Sequence, residues 1–219
     1  MKKYSVLLMV SFIVIACFGT NNSKSERNET VKIEPLEFME NRSYATFGGG
    51  CFWCTEAIFE QLEGVEKVAS GFSGGHIKNP AYREVISGRT GHAEVIQITY
   101  NPQVINYNTL LEVFFNTHDP TTLNRQGADR GTQYRSAIFY HNEEQQKAAN
   151  NLIEALEEAK VFKDPIVTEV TQFDAFYEAE QYHQDYYANN QSQGYCQVVI
   201  RPKLEKFQKA YRDKLKKSM

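Results

Sequence analysis

The chain has 219 residues, of which 42% are apolar and 23% charged, with a net charge of −3. That mixture fits a folded globular protein, with enough chain for one domain and a real core. Lys and Arg are scattered among acidic residues, which excludes a basic stripe for nucleic acid, and the plentiful aromatics are read first as core filling.

Lys2 and Lys3 precede Val6–Ala16, an almost unbroken apolar run. It is shorter than the roughly 20 residues that span a bilayer and suits the core of a secretory signal. The run ends in Val14-Ile15-Ala16-Cys17, which resembles the lipobox of bacterial lipoproteins. The resemblance implies a cut before Cys17 and a lipid on its thiol; an uncleaved anchor, or an ordinary signal with an incidental cysteine, is the other reading. Residues 1–16 are therefore read as a signal peptide, 17–42 as a lipidated cysteine with a flexible tether, and 43–219 as the folded domain. The tether is rich in Asn, Ser, Glu and Lys and as a coil spans about 25–30 Å. An exported, membrane-anchored monomer facing the periplasm or cell surface is expected.

Tyr44–Phe47 is a strand candidate stopped by Gly48-Gly49-Gly50. Thr55, Ile58, Phe59 and Leu62 then recur at helical spacing, predicting a helix over 51–63 with Gly64 as its terminator. Strands follow at 65–72 and 93–100, with a short helical piece near Tyr82–Ile86 between them. Leu110, Leu111, Phe114 and Phe115 mark a helix over 108–117. Residues 119–133 read as a long loop, and long loops in compact domains are often functional. Ser136–Tyr140 is a strand. Asn142 with Gln145 three residues on has the form of a capping box for the next helix. Pro165 opens a strand at 166–171, and Leu204, Phe207, Tyr211 and Leu215 predict a last helix with a basic outer face. Alternating strands and helices with short links give one two-layer α/β or α+β domain.

The chemistry centres on Gly48-Gly49-Gly50-Cys51-Phe52-Trp53-Cys54. Glycines let a strand turn sharply into a helix and leave Cys51 at the helix N-terminus, where unpaired N–H groups favour a thiolate. Phe52 and Trp53 beside it suggest a pocket for an apolar group. By spacing alone, Cys51-x-x-Cys54 ranks first as a thioredoxin-type dithiol. Half of a zinc site is the other reading, although no second C-x-x-C or H-x-x-x-H is present.

Gly50-Cys51-Phe52-Trp53 also resembles the signature of the type A peptide methionine sulfoxide reductases. Matching blocks follow in order: Gly71-Phe72-Ser73-Gly74-Gly75, Tyr82-Arg83-Glu84-Val85, Gly91-His92-Ala93-Glu94-Val95, His118-Asp119-Pro120, the run 126–136, Ala179 to Gln184, and Gly194-Tyr195-Cys196. The resemblance runs from about Tyr44 to Phe207. It implies an α+β fold, a two-layer sandwich with a mixed, ferredoxin-like sheet, and reduction of the S epimer of methionine sulfoxide, free or in proteins. No cofactor or metal is bound, and a thioredoxin-type dithiol is the reductant.

Carried over residue by residue, Cys51 is the nucleophile, and Glu94, Tyr82 and Tyr134 donate to the sulfoxide oxygen. Phe52 and Trp53 cradle the methyl group, and Asp129 helps order the site. Cys196 is the expected first resolving thiol, with Cys54 relaying or competing. Glu94 shares a strand face with Ile96, Ile98 and Tyr100, so burial could keep its carboxyl protonated. A membrane-tethered C-x-x-C thiol–disulfide oxidoreductase is the alternative activity. Cys17→Ser is expected to leave an unlipidated, unprocessed precursor with a foldable catalytic domain. Radioactive fatty-acid labelling checks this, and label retained by the variant would rule out Cys17 as the lipid site.

Overall fold

The protein is described from a computed structural model, which covers residues 42–217. The signal peptide, Cys17 and all but the last residue of the tether lie outside the described residues. Strand β1 (Ser43–Gly49) leads into helix α1 (Phe52–Phe59), then β2 (Val65–Ser73), the short α2 (Tyr82–Val85), β3 (Ala93–Tyr100) and α3 (Tyr107–Thr117). A two-stranded hairpin follows, β4 (Arg125–Gln126) and β5 (Asp129–Arg130), then β6 (Ser136–Tyr140) and α4 (Glu143–Glu158). Short strands β7 (Glu169–Gln172) and β8 (Tyr177–Glu178) precede α5 (Tyr186–Asn189) and α6 (Arg201–Ala210).

The main sheet has the order β7-β6-β1-β3-β2-β8. Its four central strands pair antiparallel, while β7 joins β6 in parallel, so the sheet is mixed. In chain order those four strands and the helices α1 and α3 run β-α-β-β-α-β, the ferredoxin-like arrangement.

Alternation along β3 decides what lies inside. Glu94, Ile96, Ile98 and Tyr100 are all buried, and the two isoleucines and Tyr100 join the large core on the helix-covered face. Ala93 and Val95 point to the other face, into a small cluster with Ala137 and Phe139. Phe47 is fully buried in the large core, 4.9 Å from the Phe114 ring and 5.9 Å from Phe59, and so ties β1 to α3 and α1. Burying one such side chain contributes about 1.5–3 kcal/mol. Among the described residues, no helix is long and apolar enough to cross a membrane.

Several boundaries differ from the sequence reading, each because backbone groups find other partners. α1 stops at Phe59, where the amides of Gln61 and Leu62 turn to carbonyls three residues back. Gly64 does adopt a left-handed φ of 85°, but it turns the chain into β2 rather than ending the helix. The strand expected from residue 166 begins at Glu169, because the Val167 amide is committed to the Pro120 carbonyl. The long loop contains the β4–β5 hairpin. The last helix ends at Ala210, and Leu215 forms a β-bridge with Leu62. Asn142 caps α4 by accepting from the Gln145 amide at 2.9 Å. The Gln145 side chain, however, reaches the His141 amide and the Tyr44 carbonyl instead of closing the box, which pins α4 to β1.

Candidate active site

The site is built where β1 turns into α1. Gly50 sits at φ 92°, and a Cβ there would lie 2.5–2.6 Å from Gln126, so both conformation and space require glycine. Cys51 is the N-cap of α1, with the Cys54 amide donating to its carbonyl at 3.1 Å. The next amide, of Phe52, donates at 3.1 Å to Oε2 of Glu94 on β3. That bond places the Cys51 thiol and the Glu94 carboxyl side by side.

Glu94 is 1% exposed. Burial pushes its carboxyl up to about 8 against the pull of the Phe52 amide, and the charges of Asp129 and Cys54 push the same way. Near neutrality it therefore holds a proton, and its other oxygen, Oε1, is buried without a hydrogen-bond partner. Tyr82 and Tyr134 are both half-buried, and burial raises both hydroxyls above their ordinary range. Each also feels the charges of Glu94, Cys51 and Asp129, so the structure gathers these groups in one place. Both phenols are permanent donors there.

An aromatic wall faces them. Phe52 is 1% exposed and packs against Phe72 at 5.9 Å, so it belongs to the core as much as to the pocket. Trp53 is only partly buried, its ring stacked on Tyr186 at 3.7 Å and 9°. The His183 ring lies 4.2 Å from Tyr82, 5.3 Å from Phe52 and 5.6 Å from Trp53. Both its nitrogens are buried and unpartnered, and burial lowers its pKa, so it packs as a neutral ring. Asp129, on β5, accepts a 2.9 Å hydrogen bond from the Tyr195 hydroxyl, which also lies 3.8 Å from Cys54 Sγ.

The thiols depart from the expectation that the helix start would acidify Cys51. Burial pushes the Cys51 thiol well above its ordinary value, and its hydrogen bond with Cys54 adds to the rise. Cys54 is instead lowered to about 7, chiefly by that same hydrogen bond. The Phe52 amide that could have stabilised a Cys51 thiolate is taken by Glu94. Cys51 is thus the donor of the pair and Cys54 the more acidic thiol. Cys196 is fully buried at the start of a wide π-turn, Cys196–Ile200, that leads into α6. Burial raises its thiol, with the charge of Cys54 contributing. The three cysteines among the described residues are all free. Among the described residues, no group of three or more His, Cys, Asp or Glu side chains is placed to hold a metal ion.

The family model for peptide methionine sulfoxide reductase matches residues 43–215. The chain belongs to the peptide methionine sulfoxide reductase family. It is 56% identical over 187 residues to peptide methionine sulfoxide reductase MsrA 1 of Rhodopirellula baltica, covering 85% of this chain and 96% of the relative. It is 50% identical to the MsrA of Deinococcus radiodurans, covering 90% and 94%. Among solved structures, the reduced form of Mxr1 from Saccharomyces cerevisiae matches with a TM-score of 0.66 at 33% identity, over 77% of this chain and 94% of that one. Methionine sulfoxide reductase A of Corynebacterium diphtheriae matches with a TM-score of 0.64 at 34% identity, over 72% and 79%.

Membership in the reductase family overtakes the dithiol oxidoreductase reading of Cys51-x-x-Cys54. Three residues that sequence reasoning did not single out stand at this candidate site: His183, Tyr186 and Tyr195. His183 and Tyr195 lie inside the matching blocks, which is the signal that could have drawn attention to them.

A further buried acid lies on α1. Glu56 is 1% exposed and accepts from the Ser70 hydroxyl at 3.0 Å and the Tyr186 amide at 3.2 Å. Burial raises it to about 7, and burial with the nearby Glu56 and Asp185 raises Glu60 to about 8. An acid whose folded pKa lies above its unfolded value of 4.5 binds extra protons in the native state. Its stabilisation is complete below that value and is lost as pH rises through the folded pKa. Between pH 6.5 and 8.5 the melting temperature of Glu56→Gln should therefore fall less than that of wild type. Calorimetry at the two pH values checks this, and parallel declines would contradict the burial account.

Proposed function

We propose that this reductase acts on the S epimer of methionine sulfoxide, free or in polypeptides, through Cys51. The observation that carries the reading is the buried, protonated Glu94, held beside Cys51 with one oxygen unpartnered. Such an atom suits a ligand oxygen that needs both a hydrogen bond and a proton. Tyr82 and Tyr134 add donors, and Trp53 with Phe52 offers the apolar wall for the S-methyl group.

Cys51 sulfur attacks the sulfoxide sulfur and Glu94 protonates the departing oxygen. In the net step the oxygen passes to Cys51, giving a sulfenic acid and the thioether, with Cys51 oxidised and methionine reduced. A second thiol then condenses with the sulfenic acid, forming a disulfide and releasing water. Contact with Cys51 favours Cys54 as the first partner, reversing the order expected from the resemblance. Cys196 follows by thiol–disulfide exchange, and a thioredoxin-type dithiol returns two electrons. The signal and lipobox at Lys2–Cys17 support a domain tethered to a membrane by a lipid on Cys17, repairing exported proteins.

Single turnover without reductant tests the cysteine roles. Cys51→Ser should release no methionine, because a hydroxyl is a far weaker nucleophile toward soft sulfur. Cys54→Ser and Cys196→Ser should each still give a burst of about one equivalent, and a Cys54→Ser/Cys196→Ser enzyme should leave a sulfenic acid that dimedone traps. Mapping of the wild-type disulfide after one turnover should find Cys51–Cys54 first; Cys51–Cys196 formed directly would restore the other order. A burst surviving in Cys51→Ser would move the nucleophile elsewhere. For the acid, Glu94→Gln keeps a donor and should retain far more activity than Glu94→Ala, against a contribution of roughly 10²–10⁴-fold for one general acid. Equal losses would remove Glu94 from the chemistry.

A further inference from the structure

Trp53 is the one tryptophan of the chain, and its Nε1 is buried with no hydrogen-bond partner among the described residues. Packing, not hydrogen bonding, therefore sets the direction in which the indole points. The closest of its ring neighbours is Tyr186, nearly parallel at 3.7 Å and 9°, whereas His183 and Tyr195 lie at 5.6 and 6.0 Å. What holds Tyr186 in place thus also holds Trp53.

Tyr186 opens the short helix α5, so its amide has no partner inside that helix. The Glu56 carboxyl supplies one. Its Oε2 accepts from the Tyr186 amide at 3.2 Å, while Oε1 accepts from the Ser70 hydroxyl of β2 at 3.0 Å. Gln184 is clamped to the same strand position, accepting from the Ser70 amide at 2.9 Å and donating to the Ser70 carbonyl at 2.8 Å. Between these two anchors the chain passes through Asp185 in a left-handed conformation, φ 52°. The clamp at Gln184 fixes where that turn begins, and the bond to Glu56 fixes where it ends.

Glu56 follows Trp53 by three residues on α1, so carboxyl and indole are neighbours on one helix face. A closed circuit results. It runs along α1 from Trp53 to Glu56, across the bond to the Tyr186 amide, and back through the Tyr186 ring to the indole. Burying an acid costs stability that an apolar side chain of similar length would not. Packing alone would therefore not choose glutamate here, and one of its two hydrogen bonds leads straight to the site.

We propose that Glu56 is a positioning residue for sulfoxide reduction: by accepting the Tyr186 amide it holds the Tyr186 ring flat against Trp53, and so fixes the indole as the wall on which the S-methyl group rests. This rests on the reading of Trp53 given above. Glu56 acts on the substrate only through these two rings.

With a single tryptophan in the chain, indole fluorescence reports Trp53 alone. Glu56→Leu keeps most of the side-chain volume without the acceptor, Glu56→Gln keeps an acceptor, and Tyr186→Ala removes the ring directly. In Glu56→Leu and Tyr186→Ala the emission should move to longer wavelength and become more open to acrylamide quenching, whereas Glu56→Gln should resemble wild type. With N-acetylmethionine S-sulfoxide and dithiothreitol, KM should rise about fourfold in both affected variants, the factor for losing one methyl group's burial, at nearly unchanged kcat. Glu56→Leu/Tyr186→Ala should be no worse than either single variant, the mark of a shared route. Unchanged emission or KM in Glu56→Leu or Tyr186→Ala, equal losses in the Gln and Leu variants, or additive losses in the double variant overturn the proposal. Should Glu56→Leu not fold, deuterium exchange of the Tyr186 amide in the wild-type enzyme takes its place: protection is expected, and exchange as fast as an exposed amide overturns the proposal. Trp53→Ala with an unchanged KM would instead overturn the reading of Trp53 as the methyl wall.

Discussion

The Phe52 amide donates to the Glu94 carboxyl, and the arrangement of the site depends on that bond. A helix N-terminus offers amides that need partners, and a buried carboxyl needs donors. Here each supplies what the other lacks. The bond joins the first turn of α1 to β3, so Cys51 and Glu94 hold their separation through secondary structure rather than through loops. The glycine turn before it and the antiparallel pairing of β1 with β3 bring the two elements to this meeting point. The wall of rings from Phe52, Trp53, Tyr82 and His183 excludes water, and that exclusion keeps the carboxyl protonated.

The same desolvation sets the state of the thiols. In water a helix N-terminus would acidify Cys51. Inside this site, burial outweighs the dipole, and the adjoining thiol receives the benefit of the shared hydrogen bond. In the proposed mechanism, chemistry and recovery use this one pair of side chains.

Much of this was legible in the sequence wherever periodicity carried the information. The i, i+2 pattern of Glu94, Ile96, Ile98 and Tyr100 placed the carboxyl on the core face, and the glycine run with a helical stripe after it placed Cys51 at a helix start. The β-α-β-β-α-β succession was visible as alternating elements. What escaped depends on contacts between distant residues. Val167 cannot enter a strand because Pro120 holds its amide, and Leu215 leaves its helix to pair with Leu62. Tyr186 lies against Trp53 only because the Asp185 backbone turns through a left-handed conformation. The rise of the Cys51 thiol was equally invisible, since desolvation is a property of the assembled site and no residue pattern announces it.

The unpartnered oxygen of Glu94 has a thermodynamic consequence. A buried polar atom without a partner costs a fold about 1–3 kcal/mol, and a folded domain holds only about 5–15 kcal/mol in total. In the proposed mechanism, that cost is offset when a sulfoxide oxygen accepts a hydrogen bond from Glu94. Stability and turnover pull in opposite directions at this one side chain. A selection for heat resistance alone would reward an apolar residue at position 94 and, in doing so, would erase the acid on which the proposed mechanism relies.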